Sequence, residues 1–199
     1  MSKLKAVFFD LDDTLYTSFQ AGDRHAYECM EKWAQETFGE TGHGFDAAFL
    51  SARKQLAAEQ PDMPPIHDRV LFAQRALENM GLNAVLYARK AAAVYWDAVF
   101  AKMTVRPGAP EFMDELHAHG IRIAVVTNML ADIQMEKLMR LGLSERIDYL
   151  VTSEEAGIDK PHRTIFDLAM RKCGVQSDEA LMVGDNFTHD VCGAHGAGI

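Results

Sequence analysis

Apolar and polar positions along this chain follow three patterns in succession. In AVFFDLDDTLY, four apolar residues run straight into Asp10, Asp12 and Asp13, so residues 5–10 read as a buried strand that ends in carboxylates. From about 17 to 103 the apolar positions recur at helical spacing. In SFQAGDRHAYECMEKWAQETFG they place Phe19, Ala26, Tyr27, Met30, Trp33 and Ala34 on one stripe, with Gly39 suited to the helix end. GFDAAFLSARKQLAAEQ follows, then a PDMPP loop, then IHDRVLFAQRALENMG and LNAVLYARKAAAVYWDAVFAKM. Four helices with short connections predict a small antiparallel bundle.

After VRPG the texture alternates. APEFMDELHAHG, MLADIQMEKLMRLGL and HRTIFDLAMRKCG read as helices, IRIAVVTN, YLVTS and ALMVGD as strands, and THDVCGAHGAG as the start of a last helix. Strand–helix alternation predicts an α/β fold, a doubly wound parallel sheet covered on both faces. The first strand belongs to that sheet yet precedes the bundle, so the four-helix segment is an insertion. The predicted division is an α/β core over 1–16 and 104–199 and a helical cap domain over 17–103. Ligands of such sheets bind at the carboxyl ends of the strands. Asp10 and Asp12, Thr127 and Asn128, and Gly184 and Asp185 all fall there.

Composition narrows the partners. The 199 residues are 48% hydrophobic and 25% charged, ordinary for a soluble domain with a sizeable core. A net charge of -9 argues against nucleic acid or an anionic membrane as partner. Cys29, Cys173 and Cys192 are odd in number and widely spaced, which suits a reduced cytoplasmic compartment. The N-terminus has no apolar stretch long enough for a signal peptide, and no apolar run approaches a transmembrane length.

Four motifs occur in order: DLDDT after a strand, a strand-terminal threonine in VVTN, a lysine before proline in DKP, and GDNFTHD. Together they resemble the haloacid dehalogenase (HAD) superfamily of phosphohydrolases, and the helical insertion after the first motif is similar to its C1-type cap. The resemblance covers nearly the whole chain and implies a HAD-like Rossmannoid core. It implies that Asp10 is the nucleophile forming an aspartyl-phosphate, and that Asp12, on the same side of an extended backbone, is the general acid and base. It implies Mg²⁺ held by Asp10, the backbone carbonyl of Asp12 and Asp185, with Asn186 and Asp190 behind them. Lys160 would add the remaining compensating charge. Thr127 and the backbone N–H of Asn128 would bind phosphoryl oxygens. The expected substrate is a small phosphorylated metabolite, a nucleotide or a sugar phosphate.

Plainer readings exist for each residue taken singly. Asp13 reads as a turn residue, Thr127 as a β-branched strand residue, Lys160 as a solvated loop charge and Asp185 as a helix cap. His117 and His119 read as a helix C-terminus. Trp33, Tyr95 and Trp96 read as bundle core. His67 and Arg69 are the cap candidates for substrate contact, with exposure on a helix surface the favoured alternative. The chain stops at GAHGAGI, where similar enzymes continue into another strand, so the expectation is a sheet that lacks that C-terminal strand. Competing functions are a 2-haloacid dehalogenase, a phosphosugar mutase on the same core and a receiver-like phospho-signalling module. Asp12 argues against the first and the helical insertion against the last.

Overall fold

The computed structural model describes residues 4–199. In chain order the elements are β1 (Ala6–Phe9), β2 (Tyr16–Thr17), α1 (Phe19–Phe38), α2 (Phe45–Glu59), α3 (Arg69–Asn79), α4 (Ala84–Phe100), β3 (Thr104–Val105), α5 (Ala109–Ala118), β4 (Arg122–Thr127), α6 (Ala131–Arg140), β5 (Tyr149–Thr152), α7 (Ser153–Ala156), α8 (Arg163–Cys173), β6 (Ala180–Val183) and α9 (Gly193–Ala197). The chain divides into two compact units. One comprises the residues up to Thr17 with Thr104–Ile199, the other Ser18–Met103.

The first unit is built on a sheet of order β5-β4-β1-β6, parallel throughout. β1 lies inside the sheet, and all four of its side chains are buried, which is why it reads as an unbroken apolar run. Alternate residues serve opposite faces. Ala6, Phe8, Ala124 and Val126 join Ile165, Phe166, Ala169 and Cys173 of α8 in one core layer. The Phe9 ring turns the other way and meets Phe112 of α5 edge-on. Burying each large apolar side chain contributes roughly 1.5–3 kcal/mol. Phe9 pairs with Val183, so β1 and β6 end level, while β4 runs past Val125 to Thr127, and the residues that follow all three strands emerge at one edge.

Three local features differ from the predicted pattern. β2 and β3 form a two-stranded antiparallel ribbon where the chain leaves and re-enters this unit. At two residues each they are too short to register as a period. The third helix begins at Arg69 rather than near Ile66, because Pro64–His67 is a 3₁₀ turn and Asp68 caps the helix, accepting from the N–H groups of Val70 and Leu71. The segment after β6 is a wide turn with i→i+5 bonds over Phe187–Cys192 before it tightens into α9. β6 borders the sheet among the described residues, with Leu181 and Val183 partly exposed.

The second unit is a bundle in which α1 packs on α4 and α2, and α3 packs on α2 and α4. Phe45, Phe49, Phe72 and Tyr95 are fully buried at its centre. Gly42 lets the loop before α2 press against α1, since a Cβ there would fall 2.2 Å from the Ala34 carbonyl oxygen. Among the described residues no helix is long and apolar enough to cross a membrane.

Candidate active site

Asp10 follows β1 directly, and its N–H donates to the carbonyl of Val183 on β6 at 2.9 Å. Its side chain is almost wholly buried. A buried carboxylate needs a counter-charge, and the Lys160 Nζ supplies one at 2.7 Å from Asp10 Oδ1. The same ammonium donates to Asp190 Oδ1 at 2.6 Å and to the Val126 carbonyl at 2.8 Å, so all three of its protons are engaged. Burial pushes the Asp10 carboxyl up to about 6. Lys160 opposes that, while Asp190 and Asp12 add to it. For Lys160 burial favours the neutral amine, but Asp10 and Asp190 outweigh it and hold the ammonium above the ordinary lysine range. The plain reading of Lys160 as a solvated loop charge therefore does not describe it.

Asp12 faces a different set of partners. Its Oδ1 accepts from the Tyr16 hydroxyl and from Lys137 Nζ, the latter at 2.5 Å, and its Oδ2 accepts from Gln134 Nε2 at 3.1 Å. Burial disfavours its charge, but Lys137, then Tyr16 and Gln134, outweigh that and hold the carboxyl below the usual carboxylate range. Tyr16 is pushed far the other way by burial and by Asp12, so it stays a neutral donor. Asp13 occupies the left-handed region at φ 60°, as a turn aspartate can. The turn is gripped by Arg106, whose guanidinium donates to the carbonyls of Asp13 and Thr14 at 2.5 and 2.6 Å.

Thr14 Oγ1 bridges two carboxylates, 3.1 Å from Asp10 Oδ2 and 3.4 Å from Asp185 Oδ1. Carboxylate oxygens of Asp10, Asp185 and Asp190 all lie within 4.8 Å of one another. Asp185 is exposed and Asp190 buried. Asn186 organises the turn behind them: its N–H donates to Asp190 Oδ2 at 3.0 Å and its Oδ1 accepts from the His189 N–H at 2.9 Å. Thr127 ends β4, buried, with Oγ1 accepting from Gln134 Nε2 at 2.6 Å. The Asn128 side chain clasps the lysine loop, accepting from the Lys160 N–H at 2.7 Å and donating to the Lys160 carbonyl at 3.1 Å. Two hydrogen-bonded sets result in the first unit: Asp10, Asn128, Lys160, Asp185, Asn186 and Asp190 with Thr14 in one, and Asp12 and Thr127, joined through Gln134, in the other.

His67 and Arg69 belong to the helical unit, and exposure is the wrong description of Arg69. It is buried, with its guanidinium 4.8–5.5 Å from the ring centres of Phe72, Tyr95 and Trp96. It donates to the His67 carbonyl at 2.8 Å and to the Tyr95 hydroxyl at 3.1 Å. His117 and His119 end α5, where His117 pairs with Asp148 and the His119 ring meets the Glu115 carbonyl.

Sequence reading missed Thr14, Tyr16, Arg106, Gln134 and Lys137 as partners of these residues and of the turn that carries Asp12. One signal was available for two of them. Gln134 and Lys137 fall in the stripe Leu130, Gln134, Lys137, Leu138, Leu141, where a core-facing helix should be apolar.

A family model for a haloacid dehalogenase-like hydrolase matches residues 4–198. The chain belongs to the haloacid dehalogenase-like hydrolase family. It is 35% identical to a ribulose-1,5-bisphosphate 5-phosphatase of Halopiger xanaduensis, over 98% of this chain and 82% of that protein. It is 30% identical to a glyceraldehyde 3-phosphate phosphatase of Methanothermobacter thermautotrophicus, over 98% of this chain and 83% of the other. Among solved structures it is similar to a 2-haloacid dehalogenase from Pseudomonas syringae pv. Tomato, with a TM-score of 0.83 and 27% identity, covering 98% of this chain and 84% of that one. The same fold, with its parallel-sheet α/β core, matches a HAD phosphatase from Thermococcus onnurineus with a TM-score of 0.71 and 25% identity, covering 98% of this chain and 84% of that one.

Proposed function

We propose that this chain is a phosphoric monoester hydrolase, a cytoplasmic enzyme that cleaves small phosphorylated metabolites of sugar-phosphate or nucleotide type through an aspartyl-phosphate on Asp10. One observation carries the reading: a buried carboxylate at the carboxyl end of a central strand, paired at 2.7 Å with a lysine whose every proton is engaged. The names of the relatives, phosphatases of ribulose bisphosphate and of glyceraldehyde phosphate, favour the sugar-phosphate end of that range.

Asp10, Asp185 and Asp190 offer hard oxygen donors within 4.8 Å of one another, a set that fits Mg²⁺. Asp10, the carbonyl of Asp12 and Asp185 would hold the ion. Asp190, whose oxygens already accept from Lys160 and the Asn186 N–H, would stand behind them. When bound, the ion would supply charge that offsets repulsion between a phosphate dianion and the carboxylates.

The chain's own residues account for the bond changes. An Asp10 oxygen attacks phosphorus, forming one P–O bond as the bond to the leaving oxygen breaks. Asp12, ionised in the free site, takes up a proton as the phosphate group binds beside it and raises its proton affinity by like charge, then gives that proton to the leaving oxygen, which departs as an alcohol. Water then attacks phosphorus, Asp12 takes one of its protons, and the Asp10–phosphorus bond breaks, releasing inorganic phosphate and restoring both carboxyl groups. Lys160 stays charged beside the attacking carboxylate. Thr127 accepts from Gln134 through its oxygen, so its own hydroxyl proton points elsewhere and is free for a phosphoryl oxygen.

The solved neighbour titled a 2-haloacid dehalogenase makes carbon–halogen cleavage the second reading. Asp12 separates the two, because a departing halide needs no proton. A panel of sugar phosphates, nucleotides and 2-haloacids, assayed with Mg²⁺ and with excess chelator, tests both. Inorganic phosphate released only with Mg²⁺ supports the phosphatase. Halide released in chelator, without phosphate, overturns it. Transfer of phosphate between hydroxyls of one sugar, without release, identifies a mutase.

A further inference from the structure

We propose that Gln134 and Lys137, one turn apart on α6, are positioning residues that hold the Asp12 carboxylate for proton transfer at the leaving group and tie it to the phosphoryl-binding Thr127. The inference rests on the phosphatase reading and adds to it two residues that none of the four motifs contains.

Lys137 is fully buried, and its ammonium lies 2.5 Å from Asp12 Oδ1. A buried lysine loses several kcal/mol of hydration, and an apolar pair of similar volume would join a helix to a turn as well or better. A mere fold staple is therefore a poor account of it. The amide of Gln134 adds a second constraint. One nitrogen donates to both Asp12 Oδ2 at 3.1 Å and Thr127 Oγ1 at 2.6 Å, so a single side chain couples the proton-transfer group to the strand end that faces the phosphoryl group. The arrangement also distinguishes the two Asp12 oxygens. Oδ1 takes both Tyr16 and Lys137, while Oδ2 takes Gln134. Each carboxylate oxygen has two lone pairs. Oδ1 is filled, and Oδ2 is the oxygen that carries the transferred proton. Lys137 fixes the carboxylate from behind, and Gln134 sets its rotation.

The test separates positioning from folding by the leaving group. An alkyl phosphate needs a proton on its departing oxygen, whereas p-nitrophenyl phosphate does not, and the one aspartyl-phosphate that both form needs Asp12 to activate water. In Lys137→Met, kcat on an alkyl phosphate is expected to fall about 10²–10³-fold with KM within about threefold. On p-nitrophenyl phosphate the same variant should release about one equivalent of nitrophenolate in a rapid first turnover and then turn over slowly. Gln134→Leu should show the same pattern more weakly, and it carries the test if Lys137→Met does not fold. Equal losses on both substrates without a burst, or wild-type rates on both, would overturn the role. Wild-type protein run alongside keeps the outcomes apart: if it releases no phosphate from either substrate, the phosphatase reading fails and this role with it.

Discussion

Gly184 and Asp190 share a space that admits only one of a Cβ and a carboxylate. A Cβ on Gly184 would lie 2.2 Å from Asp190 Oδ2 and 2.3 Å from its Cγ. Asp190 in turn accepts from Lys160, which holds Asp10. The glycine after β6 therefore positions the nucleophile through two intervening side chains. Gly184→Ala should move Asp190, weaken its hold on Lys160, and cost about 1–3 kcal/mol of stability by overcrowding. Its activity should fall further than the lost folded fraction explains. Urea unfolding and kcat on the same preparation check this, and an unchanged kcat would contradict it.

Asp10→Asn keeps the shape of the side chain and its place beside Lys160 but removes the nucleophilic charge. Turnover should drop on the order of 10³-fold or more. The amide also leaves one buried cation less fully compensated, so the melting midpoint should change by only a few degrees, in either direction. Activity that survives, with mass spectrometry excluding deamidation back to aspartate, would remove Asp10 from the central role.

The distribution of these residues explains what the sequence discloses. The sheet strands are legible because strands buried on both faces leave continuous apolar runs, as in Ala6–Phe9 and Ile123–Val126. Asp10, Thr127, Lys160 and Asp185 are legible because each closes or follows a recognisable element. The partners of Asp12 are not. Gln134 and Lys137 are 122 and 125 residues away from it, and local spacing carries no trace of so distant a contact. A glutamine and a lysine on a helix ordinarily read as solvated, and only their place in an apolar stripe says otherwise. Arg69 was hidden for the same reason. Its burial depends on Tyr95 and Trp96, which come from another helix.

That setting makes Arg69 a stability residue first. Its guanidinium packs against three aromatic rings and satisfies both the His67 carbonyl and the Tyr95 hydroxyl, while Tyr95 donates to Asp23. Arg69→Ala opens a cavity among Phe72, Tyr95 and Trp96 and strands the His67 carbonyl. Destabilisation of about 2–4 kcal/mol is expected, read by urea unfolding of the full chain. Arg69→Lys should recover only part of it, because an ammonium lacks the planar fork that reaches both acceptors. A variant within 0.5 kcal/mol (about the scatter of surface substitutions) would contradict the structural role.

Cys173 gives the fold a dependence on high pH. Its side chain is buried at the end of α8 in the core layer shared with Phe8 and Ile165. Burial pushes the thiol up to about 11, against an ordinary 9.0, with Arg122 opposing. The folded chain therefore holds this proton more tightly than the unfolded chain. The stability so gained is present in full below about 9 and is lost as the pH rises from there through about 11, on the order of 2 kcal/mol at most. Lysines titrate over the same range, so the comparison is with Cys173→Ala, which pays a cavity cost at every pH but lacks this slope. The gap between the two proteins in urea unfolding should narrow from pH 8 to pH 10.5. Alkylation offers an independent reading: iodoacetamide at pH 8 should label exposed Cys192 and spare Cys173 until the protein is unfolded. Rapid native labelling of Cys173, or a gap that does not change with pH, would show that the thiol is not held as its burial requires.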